Sequence, residues 1–218
     1  MEPQSVSISG DTTNNLPHQE AESEFSADNM RTNMYRLLAA LMAAPASNDL
    51  LQLLKNIDLD DTGISDDSMA TAWKTIRLAC EHASLDSIDD EFHDLFIGIS
   101  SGEIVPYGSW YQTGFMMDRP LALLRQDLVE LGIVRDEGVR EPEDHVSALC
   151  ETMSLLAEEG GGVSIEAQRK FFDNHMKAWI QRFFQDMQNA RSAHFYAAVG
   201  QLGEKFFDIE KRYLELPV

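Results

Sequence analysis

Residues 164–189 read SIEAQRKFFDNHMKAWIQRFFQDMQN. Within them Phe171, Phe172, His175, Met176, Trp179, Ile180, Phe183, Phe184 and Met187 recur at steps of three and four. That spacing places them on one face of an α-helix, and the stripe is wide enough for a central, mostly buried one. Ser164 stands where an N-cap would, so the segment predicts a helix running from Ser164 past Met187. The rest of the chain follows the same period. Met34, Leu37, Leu38, Leu41 and Met42 form one stripe that ends before Pro45. Ser47 caps a short helix carrying Leu50, Leu51 and Leu54. Trp73, Ile76, Ala79, Cys80 and Ala83 make the next. Leu121, Leu124, Leu128 and Leu131 follow, opened by Pro120 and closed by Gly132. Val146, Leu149, Cys150, Met153 and Leu156 run up to Gly160-Gly161-Gly162. The last helix carries Phe195, Val199, Leu202, Phe206, Ile209 and Tyr213. Gly200 and Gly203 lie inside it, each at a cost of up to ~1 kcal/mol relative to Ala, which close helix packing would explain.

No segment shows the period-two alternation of a strand, and there is no internal repeat. The expected fold class is all-α: a single-domain helical bundle of about eight to ten helices, interrupted by one long loop at about 99–118. Residues 1–24 are polar and read as a mobile tail, because they bury too little surface to offset ordering entropy; residues 25–218 read as the helical domain. The loop holds Gly102, Pro106, Gly108 and Gly114 together with Tyr107, Trp110, Tyr111 and Phe115. Its aromatic content argues against disorder, and long loops in compact domains tend to be functional.

Charge is the compositional outlier. The 218 residues hold 17 Lys and Arg against 37 Asp and Glu, a net of −20. Nucleic acid is thereby excluded as a partner. A basic partner fits, and so does a bare solubility role. Residues 84–105 carry six acids and no Lys or Arg, and residues 127–160 carry a net of −8, whereas 164–218 carry +1. The negative potential is therefore concentrated in the stretches that hold the unusual motifs. The two cysteines, Cys80 and Cys150, fall among apolar residues at helical spacing and read as buried thiols; there is no CxxC. Neither a signal peptide nor an apolar run of membrane-spanning length is present, so the expectation is a cytoplasmic protein with no membrane insertion.

Two segments stand out. In Glu141-Pro142-Glu143-Asp144-His145 the Pro and the acids suit the first turn of a helix, with His145 on that turn. They also offer more hydrogen-bonding equipment than a helix start requires, and a carboxylate there can pair with a guanidinium through two bonds. In Pro106-Tyr107-Gly108-Ser109-Trp110-Tyr111 the rings either plug the bundle or wall a groove for an extended peptide. Leu95 and Phe96 are expected to pack inward on either reading. Enzyme motifs fare poorly. Ser109 lacks the GxSxG context, and HExxH, Walker A and GxGxxG are absent. His82, His93-Asp94 and Asp144 follow the order used by HD-type metal-dependent phosphohydrolases, with a short gap between His82 and His93; that enzyme class and a non-enzymatic helical scaffold or regulatory protein are the alternatives. No catalytic or metal-binding residue is assigned.

Phe92-x-x-Leu95-Phe96-x-Gly98, Pro106-Tyr107-x-Ser109-x-Tyr111 and Glu141-Pro142-x-Asp144-His145, with Leu149, Met153 and Phe172-x-x-His175-x-x-x-Trp179-x-x-x-Phe183 in support, resemble the TorD/DmsD family of redox-enzyme maturation chaperones. The resemblance spans about 30–215. It implies a cytoplasmic, all-α chaperone that binds the twin-arginine signal peptide of a molybdopterin oxidoreductase and its apoprotein, and holds back export until the cofactor is inserted. It carries peptide binding to Leu95, Phe96, Pro106, Tyr107, Ser109, Tyr111, Pro142, Asp144 and His145, beside Phe92, Glu141 and Glu143. On this reading the aromatic loop and the Leu95/Phe96 side form an apolar trough, and Glu141, Glu143 and Asp144 take the arginine pair. No cofactor is expected; weak guanine-nucleotide binding and a monomer or homodimer rest on the resemblance alone.

Overall fold

The computed structural model describes residues 27–57, 67–98, 102–136 and 138–217. The tail expected at 1–24 lies outside them, as do 99–101 of the long loop. The described residues form ten α-helices: α1 (Ala27–Ala43), α2 (Asn48–Lys55), α3 (Asp67–His82), α4 (Leu85–Phe92), α5 (Gly108–Thr113), α6 (Arg119–Glu130), α7 (Val146–Leu156), α8 (Ile165–His175), α9 (Ile180–Asn189) and α10 (Phe195–Glu215). A π-helical turn, His93–Ile97, continues α4. The all-α, single-domain expectation holds, and an isolated antiparallel bridge between Tyr107 and His145 is the extended pairing seen among the described residues.

The apolar stripes become the core. α10 lies at its centre, packed on α3, α9, α1, α4 and α8, while α1 pairs with α7. Gly203 makes the α9–α10 contact close: a Cβ there would lie 2.4 Å from the ring of the fully buried Phe184. The expectation of close packing at the two glycines is met, since a Cβ on Gly200 would lie 2.9 Å from the Phe184 carbonyl oxygen.

Three predicted boundaries move. The single helix expected from Ser164 to Met187 is two, α8 and α9, separated at Met176–Trp179. The Trp179 indole N–H donates to the His175 carbonyl at 2.7 Å, which satisfies an acceptor freed by the break. The loop at 99–118 contains α5, closed by Gly114 in the left-handed region at φ 80°. The helix expected to open at Glu141–Pro142 starts at Val146, with His145 as its N-cap.

Buried charges lock the bundle. Glu210, 1% exposed, accepts from Arg31 Nε at 2.9 Å, Arg31 Nη2 at 2.6 Å and the Tyr35 hydroxyl at 3.1 Å. Arg31 also donates to Gln168 at 3.0 Å, so α1, α8 and α10 share one network. Removing a single partner from such a network leaves an uncompensated buried charge, which fixes how the three helices meet. Cys80 and Cys150 are free and buried, as expected.

Candidate functional site

The two unusual segments meet through their backbones. The Gly108 N–H donates to the Asp144 carbonyl at 2.9 Å, and the Val146 N–H donates to the Pro106 carbonyl at 2.9 Å. These bonds bracket the Tyr107–His145 bridge. The chain reaches this point after hugging the π-helical turn: Ile104 N–H donates to the Leu95 carbonyl at 2.9 Å. Gly102 permits that approach, since a Cβ there would sit 2.3 Å from the Leu95 oxygen.

Side chains complete the joint. Asp144 is 3% exposed, and its Oδ2 accepts the Ser109 N–H at 2.8 Å, which caps the start of α5. Its other oxygen, Oδ1, accepts no hydrogen bond. A buried carboxylate oxygen without a donor is costly, and a donor brought by a ligand would relieve it. The Tyr107 ring meets the His145 ring edge to face, with centroids 5.0 Å apart. Its hydroxyl donates to the exposed carboxylate of Glu141. Burial, then the Glu141 hydrogen bond and the Glu141 and Asp144 charges, pushes the Tyr107 phenol well above its ordinary value, so it stays a donor. His145 Nδ1 takes the Ser147 N–H at 3.2 Å and lies 2.6 Å from the Ser147 hydroxyl, which leaves the proton on Nε2. Burial holds this imidazole below its usual pKa against the opposing charges of Glu141 and Asp144, so it is neutral at pH 7.

Glu143 is already paired. Arg125 of α6 points Nε and Nη2 at its Oε2, at 3.0 and 2.8 Å, and Arg135 Nη1 lies 3.7 Å from Oε1. Burial alone would raise this carboxyl, but the Arg125 hydrogen bonds, the backbone and Arg135 outweigh it and hold the pKa below the usual range.

The expected site residues therefore divide. Pro106, Tyr107, Ser109, Glu141, Pro142, Glu143, Asp144 and His145 are brought together. Tyr111 faces another way: its ring stacks on Trp179 and its hydroxyl donates to Asp186 at 3.0 Å. Phe92 and Leu95 are enclosed in the core, and Phe96 packs on Phe92 and Tyr196 with centroids 5.0 and 5.5 Å apart. The inward packing of Leu95 and Phe96 holds, and a trough wall built from Leu95 does not, because its side chain is fully covered. Ser109 is likewise buried, and its hydroxyl accepts the Met117 N–H at 3.1 Å.

That last bond holds a feature that the motifs did not single out. Met117 adopts φ 57°, a left-handed conformation that an unbranched residue enters at a cost. Thr113 Oγ1 accepts the Phe115 N–H at 3.3 Å in the same loop. Phe115 and Met117 are thereby held 71% and 68% exposed, beside the partly exposed Trp110 and Met116. The signal in the sequence is the run Phe115-Met116-Met117, three large apolar residues outside any helical stripe. Arg125 was missed as well, since it sits inside an ordinary amphipathic helix.

The His82, His93-Asp94 and Asp144 order does not form a cluster. His93 Nδ1 lies 2.8 Å from the Asp89 carbonyl oxygen, and Asp144 caps α5. Among the described residues no group of three or more His, Cys, Asp or Glu is placed to hold a metal ion. A separate cleft of about 440 Å³ between α3 and α10, lined by Thr75, His82, His194 and Gln201 among others, shares no residue with the joined motifs.

Comparison with known proteins places this arrangement. The nitrate reductase delta subunit family matches residues 65–185, more than half of the chain. The chaperone protein TorD of Vibrio parahaemolyticus is 24% identical over 134 residues, covering 57% of this chain and 62% of that protein. The Tat proofreading chaperone DmsD of Salmonella typhi is 29% identical over 187 residues, covering 84% of this chain and 90% of that one. A crystal structure described as a redox enzyme maturation protein from Archaeoglobus fulgidus shares the fold, with a TM-score of 0.56 at 18% identity over 82% of this chain and 94% of the other. With the match running over more than half of the chain and both halves of the joined site inside it, the chain belongs to the nitrate reductase delta subunit family, of the TorD/DmsD type.

Proposed function

We propose that this protein is a cytoplasmic chaperone, not an enzyme, that binds the twin-arginine signal peptide of a molybdopterin oxidoreductase and holds back export until the cofactor is inserted. The chaperone names of its relatives support the class. The observation that carries the peptide reading is Asp144: a buried carboxylate at the junction of both motifs, with one oxygen fixed to Ser109 and the other lacking a donor. A guanidinium supplies charge and several directed donors, and it matches a carboxylate better than an ammonium does. Exposed Glu141, oriented by Tyr107, offers a second carboxylate beside it. The apolar stretch that follows the arginines in such a leader docks on Trp110, Phe115, Met116 and Met117, in place of the enclosed Leu95. Methionines suit this role because their unbranched side chains adapt to varied apolar partners.

Titration calorimetry with a twin-arginine leader peptide tests the reading. Asp144→Asn keeps an acceptor for Ser109 and removes the charge. It should weaken the twin-arginine peptide by about 2 kcal/mol or more, and a twin-lysine peptide less. Equal losses for both peptides would rule out the directed arginine contact. A second variant, Phe115→Ser with Met117→Ser, should weaken a full leader but not one whose apolar stretch is replaced by Ser and Gly.

A further inference from the structure

We propose that Arg125 is a resident guanidinium that occupies the acidic edge of the site in the free protein and sets its selectivity for arginine over lysine. This rests on the peptide-binding reading above. Arg125 directs both Nε and Nη2 at Glu143, at 3.0 and 2.8 Å. The two partners differ in cover: the Arg125 side chain is 52% exposed, that of Glu143 only 16%. The carboxylate is thus part of the wall, and the guanidinium lies over it from the solvent side, able to swing away. Arg135 also approaches Glu143, at 3.7 Å, but its Nε is committed to the Val139 carbonyl at 2.9 Å, so it stays with its own loop. The next residue along the wall is Asp144, whose Oδ1 accepts no hydrogen bond.

An arginine arriving in a peptide presents the same chemical group as Arg125. It can take over the contact with Glu143 while Arg125 moves into water, and the exchange loses little because the two donor sets are alike. A lysine arrives as a point charge with no planar fork. It cannot replace the paired Nε and Nη2 bonds, so it must bind with Arg125 still in place and suffer its repulsion. A group that resembles the correct ligand thereby rejects the near-miss, since discrimination depends on the difference between two affinities rather than on either one. The same contact lowers affinity for the correct ligand by the strength of one exposed ion pair.

The test is calorimetric titration of the full-length protein with a twin-arginine leader peptide and its twin-lysine counterpart. Four proteins are compared: wild type, Arg125→Gln, Arg125→Lys and Arg36→Gln. Arg36 pairs with Glu158 at 2.8 Å, beyond the far end of α7 from His145, so its variant reports the bare effect of one lost positive charge. Arg125→Gln should bind the twin-arginine peptide about two- to five-fold tighter than Arg36→Gln does, the range of one exposed ion pair. It should gain more for the twin-lysine peptide, so that the ratio between the two peptides shrinks. Arg125→Lys, which changes no charge, should shift both quantities in the same direction by less. If both Arg125 variants match their controls, or bind more weakly, Arg125 is a strut for the wall and the proposal falls while peptide binding stands. If no protein in the set binds the twin-arginine peptide, the peptide reading fails and takes this one with it. If wild type does not bind but Arg125→Gln does, both stand, with the resident arginine closing the site.

Discussion

Glu91 sets how the last and most central helix begins. It sits on α4, is buried, and accepts three backbone N–H groups from 103 to 105 residues later: His194 at 2.8 Å, Phe195 at 3.0 Å and Tyr196 at 2.6 Å. These are the donors at the start of α10 that the helix cannot satisfy itself, and His194 supplies no side-chain cap. Glu91→Gln keeps one acceptor oxygen. Turned to serve His194 and Tyr196, the amide faces the Phe195 N–H with its own hydrogens, so one buried donor is left without a partner, at about 1–3 kcal/mol. Loss of the negative charge at the helix N-terminus adds up to ~2 kcal/mol in a buried setting. The expected destabilisation is about 3 kcal/mol, and Glu91→Ala should reach ~4 kcal/mol or more because all three donors lose their acceptor. Urea unfolding followed by far-ultraviolet circular dichroism measures it. At a slope of about 2–3 kcal/mol per molar, Glu91→Gln lowers the midpoint by roughly 1 M. Asp90→Asn, the exposed neighbour, should stay within about 0.5 kcal/mol. A Glu91→Gln midpoint indistinguishable from that of Asp90→Asn would refute the view that a carboxylate of α4 caps α10.

Two further stability predictions follow from contacts already described. Gly203→Ala tests two opposed effects: Ala is the better helix former by ~1 kcal/mol, but its Cβ would lie 2.4 Å from the Phe184 ring. Overpacking of a well-filled contact costs about 1–3 kcal/mol, so the variant should be less stable on urea unfolding, and a gain in stability would show that α9 and α10 can part easily. The pH dependence has a sign fixed by His145, whose imidazole burial holds below the ordinary 6.5. Below about pH 6.5 the unfolded chain takes up a proton that the folded one resists, so stability falls as pH drops from 7.5 to 5.5. His175 adds to the fall, since burial lowers it too against the pull of Asp127. His145→Asn keeps a cap for Ser147 and should flatten the slope; an unchanged slope would place the effect elsewhere.

Periodicity made most helices legible, because α1, α3, α6, α7 and α10 bury the stripes that the sequence displays. It failed where the stripe runs on through a break. Phe171, Phe172 and Met176 keep helical spacing with Ile180, Phe183 and Phe184, so nothing in the pattern marks the turn at Met176–Trp179. The cue lies in one indole N–H turned back on a carbonyl, which no spacing rule reports. The six-residue α5 was hidden for a different reason. Gly108 and Gly114 read as loop residues, and a helix this short has too few apolar positions to show a period. The start of α7 was misplaced because the Asp144 carbonyl is drawn across to Gly108, while the Pro142 carbonyl takes the His145 N–H at 3.0 Å in a turn. The meeting of 106–108 with 144–146 is a long-range pairing, and only the resemblance pointed to it. No local signal could have revealed that Glu143 meets a guanidinium while Asp144 keeps one oxygen without a donor.

The structure also changes what the acidic composition means. Counted along the chain, the blocks at 84–105 and 127–160 look like uniform attractors for a basic peptide. Several of their carboxylates are engaged by the fold. Glu91 caps α10, and Glu103 accepts the Arg191 N–H at 2.8 Å and the Ser192 hydroxyl at 2.6 Å. Asp127 holds His175 at 2.7 Å, Glu143 holds Arg125, and Glu158 holds Arg36. A carboxylate neutralised by a neighbouring cation, or aimed at the start of a helix, contributes little to the field felt by an approaching ligand. What remains at the joined motifs is Glu141, held by a hydroxyl rather than a cation, and the buried Asp144 oxygen that has no donor. On the proposed peptide-binding reading, the remaining acids of the two blocks supply long-range attraction, and the choice among basic peptides rests on short-range geometry at Asp144, Glu141 and the Arg125–Glu143 pair.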